Sequence, residues 1–190
     1  MDHLQQERPS RWVSRFAPLV PQGTVLDLAC GGGRHSRWMA SLGHTVLAVD
    51  RDVAALASTT GDRISTLQFD LEADGAIERA DWPLKPASYA GIIVTNYLHR
   101  PLMPALLQSL AHGGVLIYET FAAGNGQFGK PSNPDFLLAP AELLAIVGSD
   151  PDLRVIAFED GYVSEPKPAM VQRICACRAT ASLKPESLSL

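Results

Sequence analysis

Along this chain, short apolar runs rich in β-branched residues alternate with stretches whose apolar residues recur at helical spacing, and no other feature narrows the fold as much. Val25-Leu26-Asp27-Leu28-Ala29 reads as a buried strand, followed by glycines and a helix over residues 34–42 that Gly43 stops. Thr45–Asp50 reads as a second strand, and Asp52 is placed to cap a helix running to residue 58. A weaker strand is expected over 64–70, a fourth over 90–95 and a fifth over 115–119. A helix over about 101–111 separates the last two; Pro101 suits its first turn and Pro104 lies early enough to be tolerated. Strands and helices in this order need a parallel sheet covered on both faces.

The last third departs from that rhythm. Residues 143–147 look helical, and 153–158 and 170–178 look like strands. The link between those two strands carries Gly161, Pro166 and Pro168 and has no room for a crossover helix, so they are expected to pair antiparallel. The expected layout is one domain over 1–179, with an N-terminal helix near 9–20 and a core over 24–178. A polar, periodless tail over 180–190 follows.

Composition excludes several classes. With 190 residues, 46% of them hydrophobic and 19% charged, the chain can bury a real core, unlike a disordered chain or a disulfide-stapled miniprotein. Sixteen Lys and Arg against 20 Asp and Glu give a net charge of −4, without the basic excess that grips a polyanion, so nucleic acid is disfavoured as a partner. Three cysteines cannot all pair, and Cys175 and Cys177 lie too close along one strand to bridge easily, which suits a reducing compartment. The polar start lacks the apolar run of a signal peptide, and no apolar run approaches a membrane span. These features lead to the expectation of a cytoplasmic monomer or homodimer.

The most informative stretch is the turn after the first strand, Asp27-Leu28-Ala29-Cys30-Gly31-Gly32-Gly33-Arg34-His35-Ser36. Glycines between a strand and a helix permit a tight turn and close approach of backbone to a nucleotide-type ligand. A dinucleotide fingerprint would place a third glycine where Ser36 stands, and the Asp27 carboxylate would repel a pyrophosphate. The same carboxylate suits a ligand carrying an ammonium and a sulfonium, which describes S-adenosylmethionine (SAM).

At these residues the chain resembles the class I SAM-dependent methyltransferases, whose first motif is acidic-x-Gly-x-Gly-x-Gly; Ala29 stands in place of its first glycine. The resemblance covers about residues 20–178. It implies an α/β, Rossmann-like doubly wound sheet of seven mostly parallel strands with the last one antiparallel. It also implies that SAM is the cofactor and S-adenosylhomocysteine (SAH) the product. Carried over, Asp27, Ala29, Gly31, Gly33 and Arg34 meet the methionine portion, Asp50 with Arg51 the ribose, and Asp70 with Leu71 the adenine, with Asn96 beside them. Gly33-Arg34-His35-Ser36 is further similar to the tellurite-resistance-type methyltransferases, small bacterial enzymes that act on small, often soft nucleophiles.

Ligands of open α/β sheets lie beyond the carboxyl ends of the strands. After the fourth strand comes Asn96-Tyr97-Leu98-His99-Arg100, which lacks the paired prolines of relatives that methylate planar amino groups. Tyr97, His99 and Arg100 are the candidate catalytic residues, with His35 a further candidate base. The 122–138 loop is long for a connector, and Phe121, Phe128 and Phe136 suit a lid better than a disordered insertion. No metal site is expected, and Cys30, Cys175 and Cys177 read as structural. The expected function is methyl transfer from SAM to a small-molecule acceptor. The alternatives are an RNA or protein methyltransferase, a non-catalytic SAM-binding regulatory protein and, third, an NAD-dependent oxidoreductase.

Overall fold

The computed structural model describes residues 8–179; the expected tail over 180–190 lies outside the described residues. Helix α1 (Arg11–Phe16) starts where Ser10 Oγ accepts the Val13 N–H at 3.0 Å, and a 3₁₀ turn (Ala17–Leu19) follows. The regular alternation then begins: β1 (Thr24–Leu28), α2 (Arg34–Ser41), β2 (Thr45–Asp50), α3 (Val53–Ala57), β3 (Ile64–Gln68), β4 (Tyr89–Thr95), α4 (Met103–Ser109) and β5 (Leu110–Phe121). Helix α5 (Glu142–Gly148), β6 (Leu153–Val163) and β7 (Ala169–Arg178) complete it.

The seven strands form one sheet in the order β3-β2-β1-β4-β5-β7-β6. Strands β1 to β5 pair parallel, and β7 runs antiparallel to both β5 and β6, as the helix-free link requires. The chain reverses its order across the sheet between β1 and β4, and a crevice opens at such a switch point.

Both faces of the central strands are buried, so successive residues of one strand serve different cores. In β5, Val115 and Ile117 pack with Trp12, Phe16 and Met39 under α1 and α2. Their neighbours Leu116 and Tyr118 pack with Leu106, Leu107, Leu143 and Val147 under α4 and α5. Each such side chain contributes roughly 1.5–3 kcal/mol on burial, enough to set the register.

Several expected boundaries move. The helix expected over 101–111 opens with a 3₁₀ turn (Arg100–Leu102) and ends at Ser109, because β5 starts at Leu110. Gly113-Gly114 lies inside that strand, where the pairing with β4 shifts register between Tyr89 and Gly91. The third strand stops at Gln68, and no α-helix joins it to β4; Leu71, Ala76 and Leu84 of that connection pack into the core instead.

Candidate functional site

The turn after β1 is built from left-handed backbone. Ala29 (φ 53°), Gly31 (φ 54°) and Gly33 (φ 73°) all take positive φ. At Gly33 a Cβ would also lie 2.3 Å from Thr59 Cγ2, so only glycine fits. Ala29 holds this conformation despite its methyl group, at a cost of order 1–2 kcal/mol. Its departure from the family's glycine therefore strains backbone as well as narrowing the turn.

One donor of that turn goes to an acid. Gly31 N–H donates to Asp50 Oδ2 at 2.7 Å, and Asp52 N–H donates to Asp50 Oδ1 at 2.9 Å. Asp52 caps α3 by accepting from Ala54 N–H and Ala55 N–H, as expected from its position. Gly33 N–H donates to the Cys30 carbonyl. Each Asp50 oxygen keeps a lone pair for a hydroxyl.

Asp27 lies behind the turn and does not open onto the cleft. Its side chain is 1% exposed and accepts from Ser36 Oγ at 2.5 Å. Burial pushes its pKa up to about 6, against the pull of Ser36 and the Arg34 guanidinium. Asp27, expected to meet the ligand, thus lies beneath α2, with Ser36 between its carboxylate and solvent. Arg34, the first residue of α2, is half-buried, and burial lowers its pKa while Glu119 and Asp27 raise it. Among the described residues its guanidinium has no carboxylate within ion-pair distance, because Glu119 is held by Arg173 at 2.6 Å. Sequence reasoning missed Glu119, a buried acid ending an apolar run; its charge in that run was the available signal.

His35 is also sealed. Its Nε2 accepts Ser10 N–H at 3.2 Å and Nδ1 faces Thr95 Oγ1 at 3.4 Å, which fixes a neutral ring with the proton on Nδ1. Burial and neighbouring Arg34 push its pKa down to about 3, so it joins α1 to β4 and is not a base for a bound acceptor.

A cleft of about 440 Å³ lies across the carboxyl ends of the parallel strands. It brings together Ala29, Asp50, Arg51, Asp70, Leu71, Asn96 and Tyr97 of the residues singled out above; Asp27, Gly31, Gly33, Arg34, His99 and Arg100 do not line it. Its charged side chains, Asp50, Arg51, Asp70 and Glu72, gather at the β2 and β3 end. The opposite end is walled by Thr120 and Phe121 of β5 and by Pro131 and Phe136 of the following loop.

Between the ends stands Tyr97, held through its carbonyl by the buried Tyr118 hydroxyl at 2.8 Å. The Tyr97 hydroxyl is buried without a hydrogen-bond partner among the described residues, and burial with nearby Glu72 raises its pKa well above the usual phenol range. It remains protonated at neutral pH, with its O–H available to donate. His99 stands off the cleft, 3.9 Å from Glu72. Arg100 is fully engaged: it donates to Glu142 at 2.6 and 2.9 Å and to the carbonyls of Asp135 and Leu137. Arg100, a candidate catalytic residue, is thus placed as a brace between α5 and the loop before it.

The 122–138 loop is pinned at its base by the Ala122 and Leu138 bridge and by buried Asn125. That residue donates to the Pro131 carbonyl and accepts Met170 N–H. Cys30, Cys175 and Cys177 are buried free thiols, and burial raises each. Among the described residues no helix is long and apolar enough to cross a membrane, and no cluster of His, Cys, Asp or Glu is placed to hold a metal ion.

A family model described as a methyltransferase domain matches residues 1–158. The chain belongs to the methyltransferase family. Its seven-stranded sheet, parallel but for one strand, is the fold that the resemblance to the class I SAM-dependent methyltransferases implies. The fold of this methyltransferase matches that of TehB from Haemophilus influenzae with a TM-score of 0.68 at 20% identity. That alignment covers 88% of this chain and 61% of TehB, so the chain spans about three fifths of TehB's length. It matches an S-adenosylmethionine-dependent methyltransferase from Mesorhizobium loti with a TM-score of 0.65 at 16% identity, over 87% and 96% of the two chains. It also matches the Burkholderia thailandensis 1,6-didemethyltoxoflavin-N1-methyltransferase, solved with that substrate and SAH, with a TM-score of 0.61 at 18% identity over 89% and 76%. No curated protein matches the sequence.

Proposed function

We propose that this methyltransferase carries the methyl group of SAM to a small molecule seated over the ends of β4 and β5. The observation that carries this reading is the division of the cleft, acidic at the β2 and β3 end and aromatic at the β5 end. In this reading Asp50 accepts from the ribose hydroxyls with Arg51 beside it. Asp70 and Leu71 take the adenine, and the backbone at Ala29, Gly31 and Gly33 runs along the methionine portion. Arg34 is the nearby cation for the methionine carboxylate, and Asn96, with φ 57° at the end of β4, borders the middle. When bound, SAM supplies a methyl group on a cationic sulfur, which leaves as neutral SAH with the electron pair of the broken bond.

What the chain itself contributes is placement and exclusion of water. No group lining the aromatic end can take a proton, and Tyr97 is held protonated. The acceptor therefore arrives uncharged with an available lone pair, as on an unprotonated nitrogen, and alignment supplies most of the rate. The Gly33-Arg34-His35-Ser36 resemblance to the tellurite-resistance-type methyltransferases favours a small acceptor.

The test is incubation of the enzyme and methyl-labelled SAM with a cell extract separated by size. Label is expected in the small-molecule fraction, dependent on the enzyme. Label confined to RNA or protein would move the acceptor to a macromolecule, and SAM binding with no transfer to any fraction would favour a sensor.

A further inference from the structure

Phe136 is a large apolar side chain that lines the cleft with 51% of its surface in water. The chain around it is held with unusual care for an exposed loop. It ends the 3₁₀ turn Pro134–Phe136, which Asn133 caps by accepting Asp135 N–H at 3.1 Å. The carbonyls on either side of it, Asp135 and Leu137, accept from Nη1 and Nη2 of Arg100 at 2.7 and 2.8 Å. Glu142 of α5 orients the same guanidinium and accepts Ala139 N–H at 2.7 Å. A planar guanidinium can fork to a carboxylate and two carbonyls at once; an ammonium cannot keep that geometry. Arg100 and Glu142 thus fix the backbone on both flanks of one half-exposed ring.

The chemistry of that end of the cleft is narrow. Thr120, Phe121, Pro131 and Phe136 supply one hydroxyl, two aromatic faces and a proline ring, and no charge. A charged group placed there would lose hydration without gaining a partner, whereas a flat uncharged ring would cover Phe136 and gain an aromatic pair. The geometry points to Phe136 as the residue that selects the methyl acceptor, by stacking on a planar uncharged ring, with Arg100 as the positioning residue that holds it over the cleft. This deepens the small-molecule methyltransferase reading and rests on it.

The experiment is a binding measurement with no turnover. The full chain is first titrated with SAH, then the SAH-saturated protein with 2-naphthol and with decahydro-2-naphthol, the same skeleton without a flat ring. The flat probe is expected to bind about five- to tenfold tighter. Phe136→Ala brings that ratio close to one, and Phe136→Tyr keeps it. Arg100→Lys lowers it several-fold although Phe136 is intact. SAH affinity changes less than twofold in all three variants, which a general loss of structure would not allow.

Absence of 2-naphthol binding, equal binding of the two probes, or a ratio unmoved by Phe136→Ala would overturn the assignment. A loss of SAH affinity in Phe136→Ala with the ratio unchanged would place the ring over the cofactor and overturn it as well. Failure of the wild-type chain to bind SAH would instead overturn the reading on which it rests.

Discussion

At one end of the cleft Asp50 is held by the backbone N–H groups of Gly31 and Asp52, while at the other Phe136 is held by the side chains of Arg100 and Glu142. The first arrangement belongs to the sheet and its left-handed turn, so its residues are constrained by backbone conformation. The second rests on the Arg100–Glu142 ion pair, which holds an exposed turn of the 122–138 loop. A fold that keeps one cofactor and varies its acceptors needs this asymmetry, with the fixed site on the scaffold and the variable one on a loop.

Substitutions should therefore cost global stability at the turn and only local order at the loop. The largest effect is expected for Gly33→Ala, which combines a left-handed φ of 73° with a contact of 2.3 Å to Thr59. A loss of roughly 3 kcal/mol or more in urea unfolding is expected. A variant as stable as wild type would remove the backbone argument.

Asp27→Asn works in the other direction. Because burial raises the Asp27 pKa to about 6 from the usual 3.8, the folded chain binds more protons than the unfolded chain between about pH 4 and 6. This group's contribution to stability therefore falls as pH rises through that window. His35, held neutral with its pKa near 3, makes the opposite contribution: stability is lost as pH falls below about 6.5. The two slopes oppose each other in wild type. Asp27→Asn is expected to gain on the order of 2 kcal/mol at pH 7. It should also show a steeper rise of stability from pH 4 to 6.5 in urea melts taken across that range. A variant whose pH profile matches wild type would contradict the raised carboxylate.

At the loop end, Arg100→Ala is expected to change global stability by about 1 kcal/mol or less, as exposed ion pairs do. Hydrogen exchange at the amides of Asp135, Leu137 and Ala139 should nevertheless rise clearly. A global loss comparable to that of Gly33→Ala would erase the contrast between the two ends. The smallest effect is at Ala29, where Ala29→Gly relieves the strain of φ 53° but adds freedom to the unfolded chain. A net gain of a few tenths of a kcal/mol, about a degree or two in the melting temperature, is expected.

What was legible in the sequence follows the same division. Gly31 and Gly33 declare a left-handed turn by residue type. Asp52 declares a cap by standing before a helix, which frees Asp50 for another role. The short link with Gly161, Pro166 and Pro168 declares an antiparallel last strand. Features that depend on distant partners left no such trace. Arg100 read as a candidate catalytic group because Glu142 and the two carbonyls it braces lie 35 to 42 residues away. Asp27 read as a ligand contact because only the packing of α2, with Ser36 over the carboxylate, closes it off. Leu110 and Ala111 read as the end of a helix because His112-Gly113-Gly114 interrupts the apolar pattern, while the pairing of Leu110 with Tyr89 carries the strand across it.

The most direct measurement is calorimetric titration of the full chain with SAM and with NAD, repeated on Asp50→Ala. SAM is expected to bind and NAD not, and Asp50→Ala should weaken SAM by about ten- to a hundredfold, the worth of hydrogen bonds to a charged acceptor, while the melting curve stays cooperative. Preference for NAD, or SAM affinity unchanged by Asp50→Ala, would contradict the account.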